Sequence, residues 1–460
     1  MRPTLLACLC LLAVATPAHA TSRTGLLLPE FAERYDAAQG VIVPVAPTTY
    51  ALHRGHHRIP LAPDPRYVAG AKLRVRGQLD AAGLLVPDGD DRGVKVLKLP
   101  PQTPAFPVEH LLVLPVAHPG SPATRTRASL AADFDALAYW VGQSSYGHTT
   151  MEVTVLDWRT TPLATDCSFG GLLSQALDAH AGTVNYRAYT LILVVEADGV
   201  TCADGSGGAG GGVGRMSIET PDGPAFVGTA ITGAFWAASL HEVGHAMNLG
   251  HANSLDCAAP GPPPADLAGC VNREYGDPFD LMGQALGDFH VLHKRQLGWL
   301  RSVGPETLTT VTTDGVYVIE PLDVPSLGLG PKGLLLPLPT TPLSWLVVEA
   351  RRPIGLDRLY PDDWLDGVLL HVSVAGFPLP DLQGVVATQG PTSSHFVWPT
   401  GAHAGIQNGR LATGYTLEVW PWGLYVQYRD PVTKVVTLKV ADLRTCCASA
   451  PNGIRTCTCY

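Results

Sequence analysis

Short stretches in which apolar and polar residues alternate fill the first part of the chain. Lys72–Gly77, Gly83–Pro87 and Val94–Leu97 alternate with a period of two, and Gly and Asp residues separate them. This pattern is typical of antiparallel strands joined by tight turns. We therefore expect a small β-rich unit over residues 21–106, with a stiff linker at the prolines of Pro100–Pro104.

The middle of the chain combines strand and helix patterns. His110–Pro115 and Thr190–Glu196 are mostly apolar runs that predict strands, and Thr150–Leu156 alternates as a strand does. Ala128–Val141 has apolar residues at helical spacing instead. This succession of strands and a helix predicts an α/β layer.

Past residue 300 the pattern returns to strands, at Val316–Ile319, Trp345–Glu349, Gly367–Val372 and Tyr415–Trp420. The length of 460 residues corresponds to about three domains. Because 46% of the residues are apolar and 15% are charged, the chain can build hydrophobic cores and does not have the composition of a disordered protein.

A glycine-rich segment, Gly205–Gly214, follows the apolar run that ends at Glu196. A phosphate-binding loop is disfavoured because no Gly-Lys-Ser/Thr sequence follows these glycines. We expect a flexible surface loop.

The charge of the chain argues against nucleic-acid binding. It has 40 acidic and 31 basic residues, with a net charge of -9, and contains no dense run of Lys or Arg. A nucleic-acid-binding protein requires the opposite balance.

Residues 1–20 have the pattern of a secretory signal peptide. Arg2 precedes the apolar run Leu5–Val14, and Ala18-His19-Ala20 is a small-x-small cleavage site. Cleavage would release a secreted protein into the extracellular space or the periplasm; a lipoprotein box at Leu5–Cys8 is the less favoured alternative. No later run reaches the ~18 apolar residues of a membrane helix, so we expect no membrane span.

The cysteines agree with an oxidising compartment. Of 10 Cys in the chain, Cys8 and Cys10 lie in the predicted signal peptide. An even number of cysteines behind a signal peptide predicts disulfide bonds. The remaining residues are Cys167, Cys202, Cys257, Cys270, Cys446, Cys447, Cys457 and Cys459.

The strongest chemical signal is residues 241–251, which read His-Glu-Val-Gly-His-Ala-Met-Asn-Leu-Gly-His. His241 and His245 are one helical turn apart, so their imidazoles project from one face and can bind one ion. A continuing helix would carry His251 ~9 Å further along the axis, although ligands of one zinc ion lie within about 3.5 Å of each other. The helix must therefore end before His251, and Asn248 and Gly250 tolerate the left-handed conformation that ends helices.

Three neutral His ligands leave the fourth position of a tetrahedral zinc ion open, as in catalytic sites. Zinc lowers the pKa of a bound water and polarises a substrate carbonyl. Glu242, beside His241, is placed to act as the general base. The sequence therefore predicts amide hydrolysis, with His241, His245 and His251 as Zn²⁺ ligands. Iron oxygenases differ, because they use two His and one carboxylate.

This segment resembles the metzincin signature His-Glu-x-x-His-x-x-Gly-x-x-His, with Asn248 in place of the usual Gly. Asp280-Leu281-Met282-Gly283 is similar to the Met-turn of that family, in which Met282 would form the apolar floor below the metal. Further pieces resemble the gametolysin-like and immune-inhibitor-type metzincins. They are Ser145–Gly147, Tyr275–Asp277, His293–Trp299, Glu349–Arg351 and Gly367–His371.

The resemblance implies an α+β fold with a metzincin-like catalytic domain over residues 107–378. This domain would have a twisted mixed sheet, an active-site helix and a lower half that carries the Met-turn. Two small β-rich units would flank it, residues 21–106 and residues 379–460, and the second would end in a Cys-rich tail. The resemblance also implies that a protein or peptide substrate lies along an edge strand, which we place around Val213–Ile218.

Some relatives carry a Tyr two positions past the Met, where this chain has Gln284. Tyr275 could replace it in stabilising an oxyanion, but a packing role is favoured. His290 and His293 could form a second metal pair, but we expect surface or hydrogen-bonded residues.

The cysteine pairing can also be predicted from these positions. Cys257 and Cys270 bracket the Pro-rich loop between His251 and the Met-turn, and we predict that they form a disulfide. Cys167 would then pair with Cys202, and the four cysteines of the tail with one another.

Two functions from different classes remain. The favoured one is a secreted zinc-dependent endopeptidase, because Glu242 and all three ligands are present. The alternative is a catalytically silent binding or adhesion protein on a metalloprotease scaffold; a zinc hydrolase of other substrates is a weaker third option. Residues 21–106 are either a removable propeptide or a permanent β domain, and they contain no cysteine that could cap the zinc.

Overall fold

The computed structural model describes residues 21–36, 41–54, 57–62, 72–90, 92–98, 105–162, 169–197, 210–233, 236–257, 270–273, 275–283, 287–301, 304, 306–338, 344–355, 357–373, 393–397, 406–407, 410–411, 416–419, 421–449 and 455–457. The predicted signal peptide, Cys167, Cys202 and Gln284 lie outside the described residues. The fold is a strand-rich mixture of α and β structure, as the sequence predicts, and it contains several sheets.

The N-terminal part is a six-stranded sheet. Its strands are β1 (Thr21–Asp36), β2 (Val41–Arg54), β3 (His57–Leu61), β4 (Lys72–Leu79), β5 (Leu85–Pro87) and β6 (Val94–Lys98). Their order is β1-β2-β3-β5-β4-β6, and β1 also pairs with β4, which closes five strands into a ring. In β4 buried and exposed residues alternate, which confirms the period-two pattern there. The core includes Leu27, Leu52 and Leu73.

The central part is a mixed sheet with helices on both faces. Its elements are β7 (Val108–Ala117), α1 (Arg127–Ser144), β8 (Thr150–Val155), β9 (Arg159–Thr160), α2 (Phe169–Ala179), β10 (Leu191–Glu196), β11 (Gly211–Thr220), β12 (Gly223–Gly233) and α3 (Trp236–Ala246). The strand order is β11-β12-β10-β7-β8, with β9 beside β7. Strands β7, β8, β10 and β12 are parallel, and β11 runs antiparallel to β12 at the end of this order.

Strand β10 lies at the centre of this sheet and is buried on both faces. Leu193 and Val195 face α1 and α3, whereas Ile192 and Val194 face α2. The alternation follows from the period of two in a strand, and the burial explains why this stretch is almost entirely apolar. Helix α1 begins where the hydroxyl of Thr126 accepts a hydrogen bond from the backbone of Ser129.

The remaining chain forms three further sheets. Its elements are β13 (Ala252–Cys257), β14 (Cys270–Arg273), α4 (Val291–Gln296), β15 (Leu308–Thr310), β16 (Gly315–Ile319), β17 (Gly333–Leu338), β18 (Ser344–Glu349), β19 (Val368–Ser373), β20 (Ser393–Val397), β21 (Ile406–Gln407), β22 (Arg410–Leu411), β23 (Thr416–Val419), β24 (Trp422–Arg429), β25 (Val436–Asp442), α5 (Leu443–Cys446), β26 (Cys447–Ser449) and β27 (Arg455–Cys457). The main sheet has the order β14-β13-β20-β19-β18-β17-β15, with β21 and β22 attached at β19. A four-stranded sheet, β16-β25-β24-β23, shares a hydrophobic core with it, and β26 pairs with β27.

Two features of this part bear on the sequence predictions. The register of β13 and β14 places Cys257 opposite Cys270, and the disulfide between them stays a prediction. Of the helices that the described ranges contain, none is long and apolar enough to cross a membrane.

Candidate metal centre

Helix α3 presents two imidazoles on its buried face. His241 and His245 have almost no exposed surface, and their Nε2 atoms are 3.1 Å apart. The helix packs through Leu240 and Val243 onto the central sheet. The predicted pair of histidines on one helical face is therefore present, on an element that the hydrophobic core holds in place.

The chain leaves the helix at Asn248, which adopts the left-handed conformation with φ of 74°. The backbone N–H of Leu249 donates to the carbonyl of Gly244, at 3.0 Å. This bond and the left-handed residue before it form a Schellman-type helix end. The predicted break before His251 is confirmed, and Asn248 makes it.

The break brings His251 back to the helix. Its Nε2 lies 3.1 Å from that of His245, and the side chain is buried. One ligand atom from each of the three histidines lies within 4.8 Å of the others. The arrangement could therefore hold one metal ion.

Hydrogen bonds fix which ring nitrogens face the centre. The Nδ1–H of His241 donates to the carbonyl of Leu281, at 2.8 Å, and that of His245 donates to the carbonyl of Leu249, at 2.9 Å. Because a carbonyl only accepts, each neutral ring carries its lone pair on Nε2. Two Nε2 lone pairs that face each other at 3.1 Å repel unless a metal ion or a proton lies between them, and neutral Nε2 donors converging in this way fit a metal ion.

The segment that the sequence predicts to be a Met-turn packs against α3. Asp280 accepts a hydrogen bond from the backbone N–H of Met282, at 2.6 Å, and the fully buried Met282 packs on α3 at Gly244. A Cβ on Gly244 would be 2.4 Å from the Met282 sulfur. The Met282 thioether therefore packs at Gly244, the residue before His245. The backbone carbonyl of Leu281, the residue before Met282, accepts the hydrogen bond from His241.

The glycines before α3 have a packing role. A Cβ on Gly212 would lie 2.4 Å from the Cβ of His245, and one on Gly214 would lie 1.8 Å from the Oδ1 of Asn248. The expectation of a flexible surface loop is wrong for Gly211–Gly214, because these residues begin β11 and lie directly against α3. The predicted strand around Val213–Ile218 is confirmed, and it lies at the end of the sheet.

Glu242 lies within the same helix, between His241 and His245 in sequence. Its side chain is 2% exposed, and its backbone carbonyl approaches Gly212 of β11. Glu242 is therefore a buried acidic residue, adjacent in sequence to His241.

Tyr275 adjoins the histidines. Its ring is 3.9 Å from that of His251, measured between centroids, and 6.3 Å from that of His241. Tyr275 therefore packs against His251, in agreement with the favoured packing role.

His290 and His293 form a second buried cluster, with Asp280. The Nδ1 of His290 accepts from the backbone N–H groups of Leu292 and His293 and so caps α4, while the Nδ1 of His293 lies 3.0 Å from Asp280. The surface alternative for these histidines is wrong, and the hydrogen-bonded one is confirmed. Burial lowers the pKa of His290 well below its ordinary value.

A buried ion network contacts the chain just before the predicted Met-turn segment. Glu349 accepts from the N–H of Val291, at 2.7 Å, and from Arg351, at 2.6 Å. Arg351 donates to the carbonyl of Phe279, at 2.7 Å. Burial would raise the pKa of Glu349, but Arg351 and His371 outweigh it and lower that pKa to about 2. The sequence suggested these residues only as pieces of a family resemblance, because charged residues usually predict exposure.

No protein-family model and no curated protein matches the chain. Among solved structures it is similar to metalloproteinase-II from Bacteroides fragilis, with a TM-score of 0.24 and 13% identity. The similarity covers 48% of this chain and 74% of that protein.

Proposed function

We propose that the chain is a secreted zinc-dependent endopeptidase of the metzincin type. The observation that carries the proposal is the convergence of three buried Nε2 atoms from His241, His245 and His251, two of them fixed as lone-pair donors by backbone carbonyls. An all-imidazole set in tetrahedral zinc leaves one position open for chemistry. The mixed sheet, the helix that bears two ligands and Met282 below it agree with the resemblance in the sequence.

Bound zinc would supply a water of lowered pKa and a polarised substrate carbonyl. Glu242 accepts a proton from the attacking water and passes it to the amine that leaves. Its burial keeps bulk water away from that proton transfer. Strand β11, at the end of its sheet, would pair with an extended peptide substrate.

The test uses the secreted protein, with its N-terminus determined, and measures metal content together with cleavage of a proteome-derived peptide library. We expect one zinc per chain and cleavage that a chelator abolishes. Glu242→Gln should retain the zinc and lose about 10²- to 10⁴-fold in rate. Glu152→Gln, on an exposed side chain of β8, is the matched control and should cleave like the wild type.

Equal cleavage by wild type and Glu242→Gln would contradict the assignment of the base. Zinc binding without cleavage of any peptide would instead favour the silent binding protein. A wild-type protein free of transition metal would overturn the proposal altogether.

A further inference from the structure

Tyr275 covers one face of His251. The two rings are tilted by 35° with their centroids 3.9 Å apart, which is van der Waals contact, and Tyr275 is 3% exposed. The same ring stacks more distantly on His241, at 6.3 Å and 24°. Tyr275 therefore contacts one of the three histidines directly and approaches a second.

The backbone of Tyr275 adopts a conformation that bulky residues rarely have. Its φ is 61°, in the left-handed region that Gly and Asn usually occupy. Such outliers persist only where the surroundings enforce them, and they concentrate at functional sites. A Tyr in this left-handed conformation indicates that the position of its ring against His251 depends on the unusual backbone.

The enforcing contacts come from the segment directly after His251. The backbone N–H of Tyr275 donates to the side-chain oxygen of the buried Asn253, at 3.1 Å. The N–H of Asp277 donates to the carbonyl of Ala252, at 3.2 Å. Between them Gly276 is so close to Ser254 that a Cβ would lie 2.2 Å from its hydroxyl oxygen. The Tyr275 turn and His251 are therefore parts of one rigid unit.

The three histidines belong to different parts of the chain. His241 and His245 belong to α3, and each donates its Nδ1–H to a backbone carbonyl. His251 lies beyond the helix end, on the residue before β13, where no helix fixes its direction. The contact with the Tyr275 ring restricts rotation of the His251 imidazole about its side-chain bonds.

We propose that Tyr275 is the positioning residue of the metal centre, and that its flat ring holds the His251 imidazole in the orientation that binds the ion. This inference rests on the proposed zinc site. It assigns the role to the aromatic face and not to the hydroxyl, so Phe should replace Tyr275 and an aliphatic residue should not. Residues that orient a metal ligand typically affect metal affinity about 10- to 100-fold.

The experiment measures zinc affinity of the full chain by competition with a chromophoric chelator, and the visible absorption of the Co²⁺-substituted protein. Tyr275→Phe should match the wild type in both. Tyr275→Leu should bind zinc about 10- to 100-fold more weakly and give a changed Co²⁺ spectrum, because the ligand geometry is no longer fixed. Tyr275→Met, which keeps an apolar side chain of similar length without a flat ring, should behave like Tyr275→Leu.

The chain contains a matched control in Tyr146. It is also a tyrosine with positive φ, at 58°. Its hydroxyl, however, donates a hydrogen bond to the carbonyl of Leu322, and its ring contacts Lys294. Tyr146→Leu should lower the melting temperature of the metal-free protein without changing zinc affinity. A metal-free melting curve for every variant separates folding from binding.

Wild-type zinc affinity and an unchanged Co²⁺ spectrum in Tyr275→Leu or Tyr275→Met would overturn the inference. A loss in Tyr275→Phe equal to that in Tyr275→Leu would also overturn it, since the hydroxyl would then carry the effect. If the wild type bound neither metal, the proposed function itself would fail, which is a different result.

Discussion

Gly228 in β12 and Ala246 at the end of α3 touch backbone to backbone. A Cβ on Gly228 would lie 1.9 Å from the carbonyl oxygen of Ala246. Neither group is a flexible side-chain end, so the helix could accept a larger residue only by moving away from the sheet. Because that helix carries His241 and His245, the position of these histidines depends on residue 228 being a glycine.

Gly228→Ala should therefore destabilise the protein by about 1–3 kcal/mol through overpacking. It should also weaken zinc binding, because the helix must shift. Gly233→Ala, at the C-terminal end of β12 where a Cβ would meet nothing within 4 Å, should change the free energy of unfolding by less than about 1 kcal/mol. Chemical denaturation of the metal-free proteins provides the measurement, and equal losses would argue against the close packing.

Lys294 offers a test of the buried ion pairs. Its side chain is fully buried, and its Nζ donates to Asp288, at 2.7 Å, and to the carbonyl of Ser144, at 2.9 Å. Lys294→Met would leave the Asp288 carboxylate without its cation in a buried site, so we expect a loss of about 3–5 kcal/mol.

Lys434 is the control for this substitution. Its Nζ lies 2.6 Å from Asp362, whose side chain is 47% exposed. Solvent screens such a pair, and Lys434→Met should cost about 1 kcal/mol or less. If urea denaturation gave similar losses of unfolding free energy for the two variants, burial would not make the Lys294 ion pair more important than the exposed one.

The pH dependence of stability should report His371. Burial alone would lower its pKa, but the carboxylates of Glu349 and Asp277, each 3.4 Å away, raise that pKa to about 9. Since the pKa in the unfolded chain is about 6.5, the folded state binds the proton more tightly. The contribution to stability is fully present below pH ~6.5 and is lost as the pH rises through about 9.

His371→Gln removes this contribution. The difference in unfolding free energy between wild type and variant should be largest near pH ~6 and should shrink towards pH ~9.5. Denaturation curves across this range measure it. A difference that stays constant over the range would mean that His371 is not charged in the folded protein.

The histidine site could be predicted in detail because its information is local. The spacing of His241 and His245 defines a helical face, and the distance to His251 requires a break, which Asn248 provides with its left-handed backbone. The β-rich N-terminal part and strand β10 were equally predictable, since apolar periodicity is set by the neighbours of each residue in the chain.

Other parts of the site carry no such local signal. The acceptor for His241 is the backbone carbonyl of Leu281, 40 positions away, and any residue type offers a carbonyl. Glycine enrichment is the same whether a segment is flexible or, like Gly212, pressed against a helix. Lys294 and Arg351 are buried, although charged residues predict exposure, because their partners become neighbours only in the folded chain.

The dependence of His241 on Leu281 also sets an order of events during biosynthesis. A ribosome that has released the chain only through His251 has delivered all three imidazoles but not the carbonyl that orients the first of them. The nascent protein therefore has to be translated past Leu281 before this hydrogen bond can orient the His241 ring, so the three imidazoles cannot reach their folded arrangement before that point.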